Sequence, residues 1–168
     1  MKFVTLTCGY VSAGNLKKRT KEMLEKAKIL LKKYYSGALL SSEVKYKTLG
    51  VYYLHIHAIC VGKFVDQRIL SNEWRRLTGY KVVYVQQIKG DEGLKRILGY
   101  ELGIDSKKRR KIDVSDSKFL AYLFKPLEFD SPWQYVNYLE SYYKVKRIRS
   151  FGCLYGRKKR SLLTCYEL

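Results

Sequence analysis

Acidic residues, histidine and proline are scarce in this 168-residue chain. Asp and Glu together number 15, against 34 for Lys and Arg, so the formal charge is +19. That excess attracts polyanions and repels other copies of the same chain. Nucleic acid comes first, because Lys and Arg gain free energy by releasing phosphate counterions. An anionic membrane surface would need a basic amphipathic helix with a broad apolar face, and residues 16–35 match that only in part. The cysteines, Cys8, Cys60, Cys153 and Cys165, form no C-x-x-C pair. This argues against a zinc knuckle or a redox motif. Cys8 and Cys60 fall in apolar strand patterns and read as buried thiols. No apolar run approaches the length of a membrane span, and "MKFVTLTCGY" reads as a strand, not a signal. The expectation is a reduced, intracellular protein with no membrane partner.

What is present is enough apolar residue for a core, 46% of the chain, which excludes a disordered protein. The length suits a single domain over 1–168, with a basic tail at 157–168. "KFVTLTCGYV" sets Phe3, Thr5 and Thr7 against Val4, Leu6 and Cys8, the alternation of a half-buried strand. A Lys-rich helix follows, with Asn15 as its expected N-cap and Leu16, Met23, Ala27, Leu30 and Leu31 on one face. "GALLSSEVKYKT" and "VYYLHIHAICVG" are two further strands, and "DQRILSNEWRRLTG" is a helix closed by Gly79. "YKVVYVQQIK" is a fourth strand. Helices are expected over "DEGLKRILGYELG" and "SDSKFLAYLFKP", with an exposed basic loop between them. "SPWQYVNYLESYYK" is a third, started by Ser131 and Pro132. "KRIRSFGCLYG" is a fifth β-like stretch. This order predicts an α+β fold: an antiparallel sheet with helices largely on one face, leaving the other face for a site.

Both histidines of the chain, His55 and His57, sit in "YLHIHAIC". Residues i and i+2 of a strand share a face. The imidazoles therefore point together, while Leu54, Ile56, Ala58 and Cys60 point into the core. Two imidazoles need at least one more ligand to hold an ion well. Glu43 is the obvious third. It lies on the polar side of the preceding strand, opposite Leu40, Val44 and Tyr46, and a hairpin near Thr48–Gly50 would bring it beside the histidines. Two surface or core histidines without a role are the plainer alternative. Two His and a carboxylate suit Zn or non-haem iron. A phosphate substrate, which the charge favours, points instead to Mn²⁺ or Mg²⁺.

In "FLAYLFKP", Phe119, Leu120, Leu123 and Phe124 cluster on one side of a helix, and Tyr122 falls on the other with Lys118 and Lys125. A phenol, with a reference pKa of about 10, is a poor nucleophile at neutral pH. Nearby cations favour the phenolate, which can attack phosphorus. The chain has 16 tyrosines, most of which must simply pack.

"FVTLT", "HIH" and "YLFK", in that order, resemble the motifs of HUH-superfamily endonucleases, in their rolling-circle replication initiator (Rep) branch. "GALLSSEVKY", "EWRRLTGYKVVYVQQIK" and "KVKRIRSFGCLYG" extend the similarity across about residues 3–156. The resemblance implies a central five-stranded antiparallel sheet of RNA-recognition-motif-like topology with flanking helices. It implies that His55, His57 and Glu43 hold Mn²⁺ or Mg²⁺. It implies that Tyr122 attacks a phosphate of single-stranded origin DNA, aided by Lys125, leaving a 5′-phosphotyrosine and a 3′-OH. The basic residues Lys107, Lys108, Arg109 and Arg110, and Lys144, Lys146, Arg147 and Arg149, are then expected DNA contacts, as is the "RKKR" tail. A monomer or dimer in the host cytoplasm, working with a host polymerase, would follow.

Two departures bear on mechanism. Lys118 stands where many plasmid initiators carry a Glu, so termination needs another base, a second tyrosine or a second subunit. Tyr100 in "LGYELG" is the alternative nucleophile, without a Lys three residues on. No G-x-x-x-x-G-K-[ST] loop is present, so a host helicase or a superhelical template must unwind the DNA. A single-tyrosine HUH transposase is a second reading. A non-catalytic single-stranded DNA or RNA-binding module, with Tyr52 and Tyr53 stacking bases, is a third.

Overall fold

The computed structural model describes residues 1–48, 50–90 and 131–155. The chain divides into two compact units, Met1–Gln87 with Phe129–Leu168, and Ile88–Glu128. The fold that follows is that of the first. Its strands are β1 (Lys2–Ser12), β2 (Gly37–Thr48), β3 (Val51–Val61), β4 (Val83–Gln87) and β5 (Ile148–Gly152). Its helices are α1 (Ala13–Lys32), α2 (Gln67–Thr78) and α3 (Pro132–Tyr142). The five strands form one antiparallel sheet in the order β4-β1-β3-β2-β5. The architecture is the α+β one expected.

The alternations of β1, β2 and β3 bury one set of side chains against the helices. Val4, Leu6, Leu40, Leu54, Ile56, Ala58 and Cys60 are buried there, with Leu16, Met23, Leu24, Ala27, Leu30 and Leu31 of α1 supplying further apolar bulk. Cys8 and Cys60 are buried free thiols. Trp74 of α2 is fully buried, and its indole N–H donates to the Thr7 carbonyl at 2.8 Å. That bond satisfies a backbone oxygen where β1 slips register against β3, between Thr7 and Gly9. Gly9 has φ +78, and a Cβ there would lie 2.3 Å from the Tyr80 ring, so the bulge needs glycine.

α1 starts earlier than expected. Its N-cap is Ser12, not Asn15, which lies inside the helix and donates to Ser12 Oγ at 3.1 Å. The Ala13 N–H donates to the Gly50 carbonyl at 2.8 Å, so the β2–β3 turn satisfies a helix-end donor that a local cap would otherwise serve. The end of α2 and the start of α3 match the sequence signals. Asp66 accepts from Arg68 N–H, Gly79 closes α2 in the left-handed conformation, and Ser131 accepts from Gln134 N–H ahead of Pro132. α3 buries Tyr138 and Tyr142 against the sheet, where the Tyr142 and Ser42 hydroxyls lie 2.8 Å apart.

Candidate metal centre

The opposite face of the sheet carries the histidines. β3 is the central strand. In its register, His55 lies between Thr7 of β1 and Glu43 of β2, and His57 between Thr5 and Ser41. Antiparallel neighbours share a face, so Thr5, Glu43, His55 and His57 are gathered by pairing alone.

The side chains close on one another. His57 Nε2 lies 2.9 Å from Glu43 Oε2, and His55 Nδ1 lies 4.0 Å from the same oxygen. His57 Nδ1 is 3.1 Å from Thr5 Oγ1. The Phe3 ring stacks on His57 with centroids 5.6 Å apart, and the Tyr53 ring meets His55 edge-on at 4.5 Å. Lys45 Nζ approaches Glu43 to 3.9 Å. His55 Nδ1 is buried and has no hydrogen-bond partner.

An imidazole lone pair and a carboxylate oxygen repel unless a proton or a cation lies between them. In the arrangement seen, a proton on His57 Nε2 donated to Glu43 meets that requirement. Burial raises the Glu43 carboxyl, but the hydrogen bond and electrostatic pull of His57, with Lys45 nearby, outweigh it and hold it below the usual carboxylate range. Burial, reinforced by Lys45, His57 and Lys47 against the pull of Glu43, lowers His55 to about 4. His55 is therefore neutral at pH 7, the state in which an imidazole can ligate a metal.

Among the described residues, no group of three or more His, Cys, Asp or Glu side chains forms a ready-made metal cage. The Glu43–His57 hydrogen bond occupies the space between those two groups. Two imidazoles and a carboxylate are nonetheless donor types that a divalent ion takes. The unpartnered, buried Nδ1 of His55 is the atom that an ion would satisfy.

Of the other expected site residues, Tyr122, Lys125, Tyr100, Lys118 and Lys107, Lys108, Arg109 and Arg110 lie outside the described residues, as does the basic tail. Lys144 and Lys146 are exposed. Lys144 has φ 56, and its ammonium sits 5.1 Å from the Tyr143 ring centre. Arg147 donates to the Tyr138 hydroxyl and lies over the Tyr142 ring. Arg149 points toward α1, where it pairs with Glu25, and its Nε is buried without a partner. These two arginines are thus engaged within the fold. Thr5, Phe3 and Tyr53 surround the histidines without having been singled out as a shell. The alternation of β1 placed Phe3 and Thr5 on one side of a strand, but only its pairing with β3 shows what they touch.

No protein-family model, curated protein or solved structure matches the chain. Among the described residues, no helix is long and apolar enough to cross a membrane.

Proposed function

We propose that this protein is an HUH-type replication initiator that nicks single-stranded DNA at an origin. The observation that carries the reading is the convergence of Glu43 with His55 and His57 on one face of the sheet, in a chain of charge +19. Glu43, His55 and His57 would hold Mn²⁺ or Mg²⁺. When bound, such an ion withdraws charge from a phosphate oxygen and makes the phosphorus more electrophilic.

The protein's own groups do the rest. Thr5 holds the His57 ring through Nδ1, which leaves Nε2 directed at Glu43. The Tyr122 phenolate attacks phosphorus, a P–O bond to tyrosine forms, and the P–O3′ bond breaks. The products are a 5′-phosphotyrosine and a 3′-OH, the primer for a host polymerase. Lys125 positions the phosphate or favours the phenolate. The phosphotyrosine keeps the energy of the phosphodiester, so a later 3′-OH can reverse the step and rejoin ends. Unwinding falls to a host helicase, and the protein acts in the host cytoplasm. The basic residues Lys107, Lys108, Arg109, Arg110, Lys144 and Lys146 serve the DNA backbone.

The test is a denaturing gel of wild type and Tyr122→Phe, each with Mn²⁺ and a library of 3′-labelled single-stranded DNAs. A label attached to wild type and absent from the variant is the expected result. An adduct that survives in Tyr122→Phe moves the nucleophile, first to Tyr100. No adduct with a DNA that the protein binds tightly overturns the nickase and favours a binding module. That binding-module reading draws on Tyr53 and on exposed Tyr10 and Tyr84 of the histidine face, whereas Tyr52, also expected to stack, is buried on the other side of β3.

A further inference from the structure

The histidine face carries aromatic rings that the metal triad does not use. Tyr10 is 66% exposed. It pairs across β1 and β3 with Tyr53, and the two rings lie 4.8 Å apart, tilted by 45°. Tyr53 in turn sets its ring against His55, and Lys47 Nζ stands 5.8 Å from the Tyr53 ring centre. Core packing accounts for Tyr52, Tyr138 and Tyr142, which are buried. It does not account for Tyr10. β1 pairs with β4 only from Lys2 to Leu6, so at Tyr10 the sheet offers β3 as its paired neighbour. An aromatic step exposed at Tyr10 remains, joined to the triad through the Tyr53 ring.

We propose that Tyr10 and Tyr53 form a stacking step for one nucleobase of single-stranded DNA, with Lys47 meeting the adjoining phosphate. The proposal rests on the single-stranded DNA reading above and adds the place where the strand is gripped. Tyr53 lies two residues along β3 from His55, roughly 6.6 Å at strand rise. A base on the step and a phosphate at the triad therefore belong to neighbouring nucleotides. Every base has a π-face, so the step adds affinity without choosing sequence. A lysine over the ring adds a cation–π contact and a charge for the backbone.

The experiment is fluorescence anisotropy of a labelled oligodeoxythymidine against the full chain in EDTA, over a range of salt. Wild type is compared with Tyr10→Ala, Tyr10→Leu, Tyr10→Phe and Lys47→Gln. Tyr10→Ala and Tyr10→Leu should each bind roughly tenfold more weakly, as loss of one stacked base predicts, and Tyr10→Phe should bind like wild type. The salt dependence should be unchanged by the tyrosine variants and lowered by about one ion in Lys47→Gln. Thermal melts check the fold, and Tyr10→Leu keeps apolar bulk should Tyr10→Ala unfold. Binding by Tyr10→Leu equal to wild type, or equal losses in Tyr10→Phe and Tyr10→Leu, overturns the step and leaves the nickase standing. Failure of wild type to bind the oligonucleotide overturns both.

Discussion

On one side of β3, Leu54, Ile56, Ala58 and Cys60 are each no more than 1% exposed. On the other side, His55 keeps 14% of its side chain exposed, and its partner Glu43 keeps 22%. The residues alternate along one strand, yet the two faces are built on different principles. The helix-facing side excludes water by apolar contact, and within it Ser42 meets the Tyr142 hydroxyl and Trp74 donates to the Thr7 carbonyl. The histidine side gathers a carboxylate, two imidazoles and a hydroxyl, and leaves His55 Nδ1 without a partner. Leaving a buried nitrogen unpaired costs stability. The dry face supports that cost. A slip of one residue in register would exchange the two faces, so the packing under Leu54 and Ile56 also holds the histidines where they are.

The contrast can be broken one face at a time. The largest effect is expected from His57→Ala. Metal-dependent cleavage should be abolished, while DNA binding in EDTA, measured by anisotropy, stays close to wild type. Equal loss of both would make His57 a structural residue. On the other face, Leu54→Ala should destabilise the fold by about 2–5 kcal/mol in urea denaturation, because it opens a cavity in a packed core. The folded fraction should still bind Mn²⁺ as wild type does, which would separate the two faces cleanly.

Thr5→Val sits between them. It keeps the shape and removes the hydroxyl that meets His57 Nδ1. Affinity for Mn²⁺, followed by electron paramagnetic resonance of the free ion, should fall about 10- to 100-fold. Thr5→Ser should restore most of it. Unchanged affinity in Thr5→Val would mean that the hydroxyl does not orient the ring.

The smallest effect concerns pH in the metal-free protein. Folding lowers His55 from an ordinary value of 6.5 to about 4. Between those pH values the unfolded chain binds a proton that the folded chain refuses, so stability falls as pH drops through that window. His55→Gln should flatten this part of a stability-versus-pH curve. The lowered Glu43 carboxyl acts in the same direction at more acidic pH, where its protonation removes the His57 contact. A curve unaltered by His55→Gln would show that the imidazole is not held neutral by burial.

Much of this arrangement was legible in residue order. Glu43, His55 and His57 could be assigned to one face because side chains alternate in a strand, and Gly50 and Thr48 marked the hairpin that joins them. The end of α2 at Gly79 and the start of α3 at Ser131 were readable because caps act locally. The start of α1 was not, because its first N–H is satisfied by Gly50, far along the chain. Arg149 shows the same limit. Its run of basic neighbours gives no sign of Glu25, which the pairing of β5 beside β2 brings to that side chain from α1.

The sequence by itself determined the charge, the strands and helices described, and which residues share a face wherever a strand runs without a bulge, since these follow from composition, backbone sterics and short-range periodicity. Only the tertiary structure decided that β3 lies between β1 and β2, that Thr5 meets one nitrogen of His57 while Glu43 meets the other, and that Tyr10 stands beside Tyr53. Strand order and register are settled by the burial of the whole helix-facing side at once. No short segment carries that sum.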